Sequence, residues 1–215
     1  MPGYYYCATN EHGFRLDRDS RPELKYGMYD INAPQIMQTQ RNKNHNFVFA
    51  VDTSLHAFES GFLHHTLSSI KSCLESVLYP ETTNIGLVTY DSTIHFFSLP
   101  LDESAEPTIL NVGDINNPFV PLPFTKLMLN VASDKSRLES LIDKVYNSYT
   151  QDYYSQSRTA HNSAVGAVLK ACVDLLSADG KLSTNALTNV GGRIMVFSSF
   201  IANCGVGAVI NVCNP

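Results

Sequence analysis

The sequence lacks any apolar stretch close to the ~20 residues that a helix needs to cross a bilayer. Its first residues, MPGYYYCATNEHG, lack the basic region followed by an apolar segment that marks a secretory signal. We therefore expect any membrane association to be peripheral. Basic residues are also in deficit, since the net charge is −5. This argues against a surface built for nucleic acid and makes proteins the expected partners.

The sequence has no disulfide framework. Its five cysteines are an odd number without paired spacing: Cys7, Cys73, Cys172, Cys204 and Cys213. This pattern is typical of reduced thiols and predicts a cytoplasmic location. Internal repeats, heptads and low-complexity tracts are absent as well. With 215 residues, 44% hydrophobic and 16% charged, the chain can form one domain with a full core.

The sequence signatures of common enzyme sites are also missing. There is no G-x-S-x-G elbow to present an activated serine, and Cys73 and Cys172 fall on the apolar faces of predicted helices. The GVG at 205–207 is too short for a dinucleotide fingerprint, so we interpret it as a loop feature. We predict no catalytic residues and no cofactor in this chain.

Hydrophobic periodicity indicates buried strands alternating with helices. Residues 47–51 are apolar on both faces, which is typical of a central parallel strand. One apolar helix face follows, at Phe58, Phe62, Leu63, Leu67, Ile70, Leu74, Val77 and Leu78. Residues 84–90 form a second buried strand, and Asp91-Ser92 turns the chain into a third at 93–99.

The second half of the sequence continues this pattern. Proline and asparagine make 100–132 an extended connection in which Phe119 is expected to be buried. Asp134 is the predicted N-cap of one helix, and Asn162 or Ser163 of the next. A buried strand follows at 193–200. The predicted fold is α/β, a mixed and mostly parallel sheet with helices on both faces.

The stretch NFVFAVDTSLH (46–56) has the residue types of a metal site. Asp52, Ser54 and His56 follow a buried strand at the edge of the sheet where α/β proteins bind ligands. A strand ending in Asp-x-Ser, then an amphipathic helix and a strand ending in a polar turn, resembles the von Willebrand factor A-type domain.

Longer stretches resemble one branch of that fold. RPEL (21–24), FVFAVDTS (47–54), IGLVTYDSTIHFFSL (85–99), FVPLP (119–123) and AVGAVLKA (164–171) are similar, in this order, to the trunk domain of the COPII cargo-adaptor subunit, the Sec twenty-four family. DSTIHFF and FVPLP are the most specific parts. They favour the cargo adaptor over its GTPase-activating sister subunit, which shares the trunk fold.

The resemblance implies a non-enzymatic coat subunit that carries proteins from the endoplasmic reticulum to the Golgi. Such adaptors form a heterodimer with the GTPase-activating subunit of the inner coat. They lie peripherally on the membrane at endoplasmic reticulum exit sites and bind cytosolic tails of cargo and SNARE proteins. No nucleic acid is expected as a partner.

The resemblance also implies further domains in a complete protein, among them a four-cysteine zinc module before the trunk. We predict that residues 1–30 are the tail of that module and a linker, with Cys7 as a remnant. Residues 31–215 are then the A-type trunk domain, incomplete at its C-terminus. Zinc is expected only in the complete protein's zinc module.

Compared with metal-binding A-type domains, this sequence departs from the pattern at two positions. His56 stands where the pattern has a serine, and Ser198-Ser199-Phe200 follows a strand that should end in aspartate. Thr159 and His161 are the candidates for the threonine loop. We therefore predict that Asp52, Ser54 and His56 are vestigial and hold no metal. Two alternatives remain: a magnesium-binding A-type domain using Asp52 and Ser54, and a metal-dependent hydrolase using Asp52, His56 and His161.

Partner-binding residues are harder to predict. Exposed aromatic side chains are enriched in interfaces, and the weak candidates are Tyr146, Tyr149, Tyr153 and Tyr154, together with the tyrosines at 4–6. The sequence does not indicate which edge or helix faces a partner.

Overall fold

The computed structural model describes residues 7–28, 30, 44–100, 106–155, 161–177 and 191–209. The chain forms two compact units, Met1–Arg41 and Asn42–Pro215. The predicted boundary at residue 31 falls between the described segments, and the assignment of residues 1–30 to a zinc module stays a prediction.

The first unit is organised around one carboxylate. A bridge between Thr9 and Arg15 closes a turn, and a short helix, α1, spans Pro22–Lys25. Arg15 Nε donates to Asp17 Oδ1 at 2.9 Å, and Arg21 Nε donates to Asp17 Oδ2 at 2.6 Å. These hydrogen bonds, chiefly that from Arg15, hold the pKa of Asp17 well below its usual range.

The second unit contains a mixed sheet of six strands. They are β1 (His45–Asp52), β2 (Thr83–Tyr90), β3 (Ile94–Ser98), β4 (Thr108–Val112), β5 (Leu129–Asn130) and β6 (Arg193–Phe197). Their order is β4-β3-β2-β1-β6, with β5 pairing with β2. The parallel pairs are β1 with β2 and β1 with β6, and the other pairs are antiparallel.

Helices cover both faces of this sheet, as predicted. They are α2 (Leu55–Glu59), α3 (Phe62–Glu75), α4 (Phe124–Leu127), α5 (Val131–Tyr154) and α6 (Val165–Ser177). Because side chains alternate along a strand, Val48 and Ala50 of β1 pack in the cluster that contains α6. Phe49 and Val51 pack in the cluster that contains α2, α3 and α5. Among the described residues, no helix is both long and apolar enough to span a membrane.

The single crossover helix predicted from Phe58 to Leu78 is wrong in its extent. The structure has two helices, α2 and α3, separated at Gly61, which adopts a φ of 75°. Glycine reaches this left-handed conformation without the steric cost that other residues incur, so the chain can turn there while the apolar spacing continues. The second helix ends at Glu75, and the Leu78 side chain is 85% exposed.

The connection predicted to be extended also contains regular structure. It includes β4, α4 and β5, and Phe119, which we expected to be buried, is 55% exposed. At the start of α5, Asn130 accepts a hydrogen bond from the Ala132 amide at 3.0 Å. Asp134, the predicted cap, interrupts the helical geometry at φ −119° and pairs with Arg137.

Three asparagines join the strands at the amino edge of the sheet. Asn84 Nδ2 donates to Asn46 Oδ1 at 2.9 Å, and Asn130 Nδ2 donates to Asn84 Oδ1 at 3.2 Å. Asn46 also donates to the Gly191 carbonyl at 3.0 Å. This chain of amides gives buried polar groups their partners across β1, β2 and β5.

Candidate functional site at the carboxyl edge of the sheet

Asp52 ends β1 and is fully buried. Its Oδ1 accepts a hydrogen bond from the Ser54 amide at 2.9 Å. Its Oδ2 accepts from the Ser199 amide at 3.0 Å and from the Ser199 hydroxyl at 2.9 Å. A buried carboxylate needs such donors, and these three tie the end of β1 to the loop that follows β6. Asp52 therefore acts here as a structural link between two loops.

Ser54 and His56 also have local structural roles. Ser54 is 1% exposed and is the N-cap of α2, where its hydroxyl accepts from the Ala57 amide at 3.4 Å. The His56 side chain is exposed, and its ring lies 5.7 Å from that of Phe200 between centroids. The two-residue spacing of Asp52, Ser54 and His56 thus reflects a strand end followed by a helix cap.

The residues that the alternative metal-dependent hydrolase would use are not brought together. Among the described residues, no group of three or more His, Cys, Asp or Glu side chains is placed to hold a metal ion. His161 is exposed, and its backbone carbonyl accepts from Asn203 Nδ2 at 2.8 Å. Thr159 lies outside the described residues. That the chain binds no metal stays a prediction.

Asn203 is a residue of this edge that the sequence interpretation missed. Its side-chain Oδ1 accepts a hydrogen bond from the Ser163 backbone amide at 2.8 Å, and its backbone amide donates to the Ser163 carbonyl at 3.2 Å. Together with the bond to His161, these contacts join the loop after β6 to the start of α6. A lone asparagine in a loop carries no pattern that would have revealed partners forty residues away.

The loop that follows β6 is in close backbone contact with α6. A Cβ atom added to Gly166 would lie 1.9 Å from the Val206 carbonyl oxygen. The Val206 amide donates to the Ile115 carbonyl at 3.1 Å, and Gly205 takes a φ of 73° beside Ile115. The GVG segment is therefore a loop feature, as predicted, and Gly166 on α6 permits its close approach to the helix.

Buried hydroxyl and thiol groups nearby are held neutral. Tyr90 Oη donates to the Phe197 carbonyl at 3.1 Å, and burial raises the pKa of Tyr90 to about 12. Burial also raises the pKa of the Cys172 thiol to about 12. A protonated, buried thiol is a poor nucleophile.

The four tyrosine candidates separate into different environments. Tyr149 is 7% exposed, and its hydroxyl lies 2.9 Å from Thr89 Oγ1 in the core, so its side chain is not available to a partner. Tyr146 is half-buried, with its ring 5.3 Å from that of His64. Tyr153 stacks on Phe58 at 4.5 Å, while Tyr154 is 78% exposed. A partner role for the exposed members stays a prediction, and the tyrosines at 4–6 lie outside the described residues.

Comparison with known proteins confirms the resemblance. The model of the Sec23/Sec24 trunk domain family matches residues 42–213. The chain is 28% identical to protein transport protein SEC24 A of Arabidopsis thaliana over 207 residues, covering 96% of this chain and 18% of that protein. It is 28% identical to protein transport protein sec24 of Aspergillus clavatus over 196 residues, covering 90% and 19%.

The fold agrees with a solved structure. The crystal structure of the human COPII-coat protein Sec24c matches with a TM-score of 0.63 at 22% identity, covering 99% of this chain and 27% of that one. The chain thus spans about a fifth of the length of the two curated relatives named above. Its matched region coincides with the second compact unit, which carries the sheet and all the contacts of its carboxyl edge. The chain therefore belongs to the Sec23/Sec24 trunk domain family.

Proposed function

We propose that this chain acts as the trunk of a COPII cargo-adaptor subunit in protein transport from the endoplasmic reticulum to the Golgi. The observation that carries the proposal is the family match over residues 42–213, nearly the whole of the second unit. Its support comes from relatives whose names describe protein transport and from the human coat protein with the same fold.

The role we propose is that of a non-enzymatic scaffold. The groups of the sheet edge that could do chemistry are instead used in internal contacts: Asp52 binds three donors and Ser54 caps a helix. Such contacts make a rigid edge, and rigid surfaces lose less entropy when they bind proteins.

The partners we propose are the GTPase-activating subunit of the inner coat, as a heterodimer, and the cytosolic tails of cargo and SNARE proteins. We place the assembled protein in the cytoplasm, peripheral on the membrane at endoplasmic reticulum exit sites. Tyr154, exposed at the end of α5, is the strongest remaining contact candidate of the tyrosine set. This chain spans about a fifth of the length of its curated relatives. The proposal for the complete protein also includes a zinc module and further trunk strands.

Affinity capture from cytosol tests this proposal. The tagged chain serves as bait, and bound proteins are identified and quantified by mass spectrometry. We expect the GTPase-activating coat subunit in near-equal amount with the bait, and less of it with the variant Tyr154→Ala. Lys170→Ala is the matched control, since Lys170 is exposed on another helix. A folded bait that captures no coat subunit would overturn the proposal.

The same preparation separates the two alternatives. Magnesium titration followed by calorimetry detects an adhesion-type site, and elemental analysis with an esterase and phosphatase screen detects a hydrolytic zinc site. We expect neither metal to bind through Asp52. Saturable magnesium binding that Asp52→Asn removes would favour the first alternative, and zinc with turnover would favour the second.

A further inference from the structure

We draw no further inference here: the strongest candidate, the cleft of about 230 Å³ between α3 and α5 that His64, Lys71 and Tyr146 line, carries nothing because nothing in the structure shows what covers it.

Discussion

At the scale of single residues, Asp52 shows how a side chain that fits the pattern of a metal site can serve as a buried hydrogen-bond acceptor. The sequence correctly placed Asp52 at the carboxyl end of a buried strand. It could not show that the serine replacing an expected aspartate after β6 donates to Asp52 through both its amide and its hydroxyl. That contact spans 147 residues, and no local pattern reports it.

We predict that Asp52→Asn lowers the free energy of unfolding by about 1–3 kcal/mol. The amide nitrogen of asparagine cannot accept a hydrogen bond, so one of the buried donors from Ser54 or Ser199 loses its partner. Urea titration measures the change, with Glu59→Gln as a control at an exposed position. Equal stability of the two variants would contradict the structural role assigned to Asp52.

The buried Cys172 thiol should make the stability of the folded protein depend on pH. Its pKa is about 12 in the folded protein, raised from an ordinary value of 9.0 by burial. Below pH 9 the thiol is protonated in both the folded and unfolded states, so stability is unaffected. As the pH rises from about 9 toward 12 the unfolded state loses this proton and the folded state does not, so stability falls.

The loss due to Cys172 approaches 1.4 kcal/mol per pH unit in that window. Denaturant unfolding at pH 8, 9 and 10 measures it against Cys172→Ala, which lacks the thiol and should fall less steeply. Parallel pH curves for the two proteins would show that the thiol is not buried as described.

At the scale of elements, the sequence predicted what burial dictates. Strands β1 and β2 are apolar on both faces because helices cover the sheet on both sides, and this pattern is visible without a structure. The break between α2 and α3 was missed because apolar spacing continues through Gly61. Strand β4 was missed because its short TILNV sequence is mostly exposed and gains its partners from β3, an interaction that only the folded chain supplies.

We predict that Gly166→Ala destabilises the contact between α6 and the loop 200–209. Within a helix this change normally stabilises by up to about 1 kcal/mol, so a net loss identifies the clash with the Val206 carbonyl. The expected loss is about 2 kcal/mol in thermal unfolding, with faster hydrogen exchange in the loop.

Gly113→Ala is the control, since nothing lies within 4 Å of its added Cβ. A gain in stability for Gly166→Ala would mean that the loop does not pack on the helix as described.

At the scale of the whole molecule, fold and family were predictable because the matched stretches extend over most of the chain. The position of the candidate residues at the sheet edge was predictable, and the alternative ligand set of Asp52, His56 and His161 is not assembled among the described residues. The partner surface could not be predicted. Of the four candidate tyrosines, Tyr149 is buried in the core and its hydroxyl contacts Thr89. The sequence does not distinguish it from Tyr154, which is exposed.

The proposed role of this chain as a trunk of the COPII inner coat can be tested directly. The most direct test is to mix the purified chain with the purified GTPase-activating coat subunit and measure the complex by light scattering during gel filtration. We expect a one-to-one complex with submicromolar affinity, as interfaces of standard size often reach. Separate elution of the two proteins, with circular dichroism showing the chain folded, would contradict it.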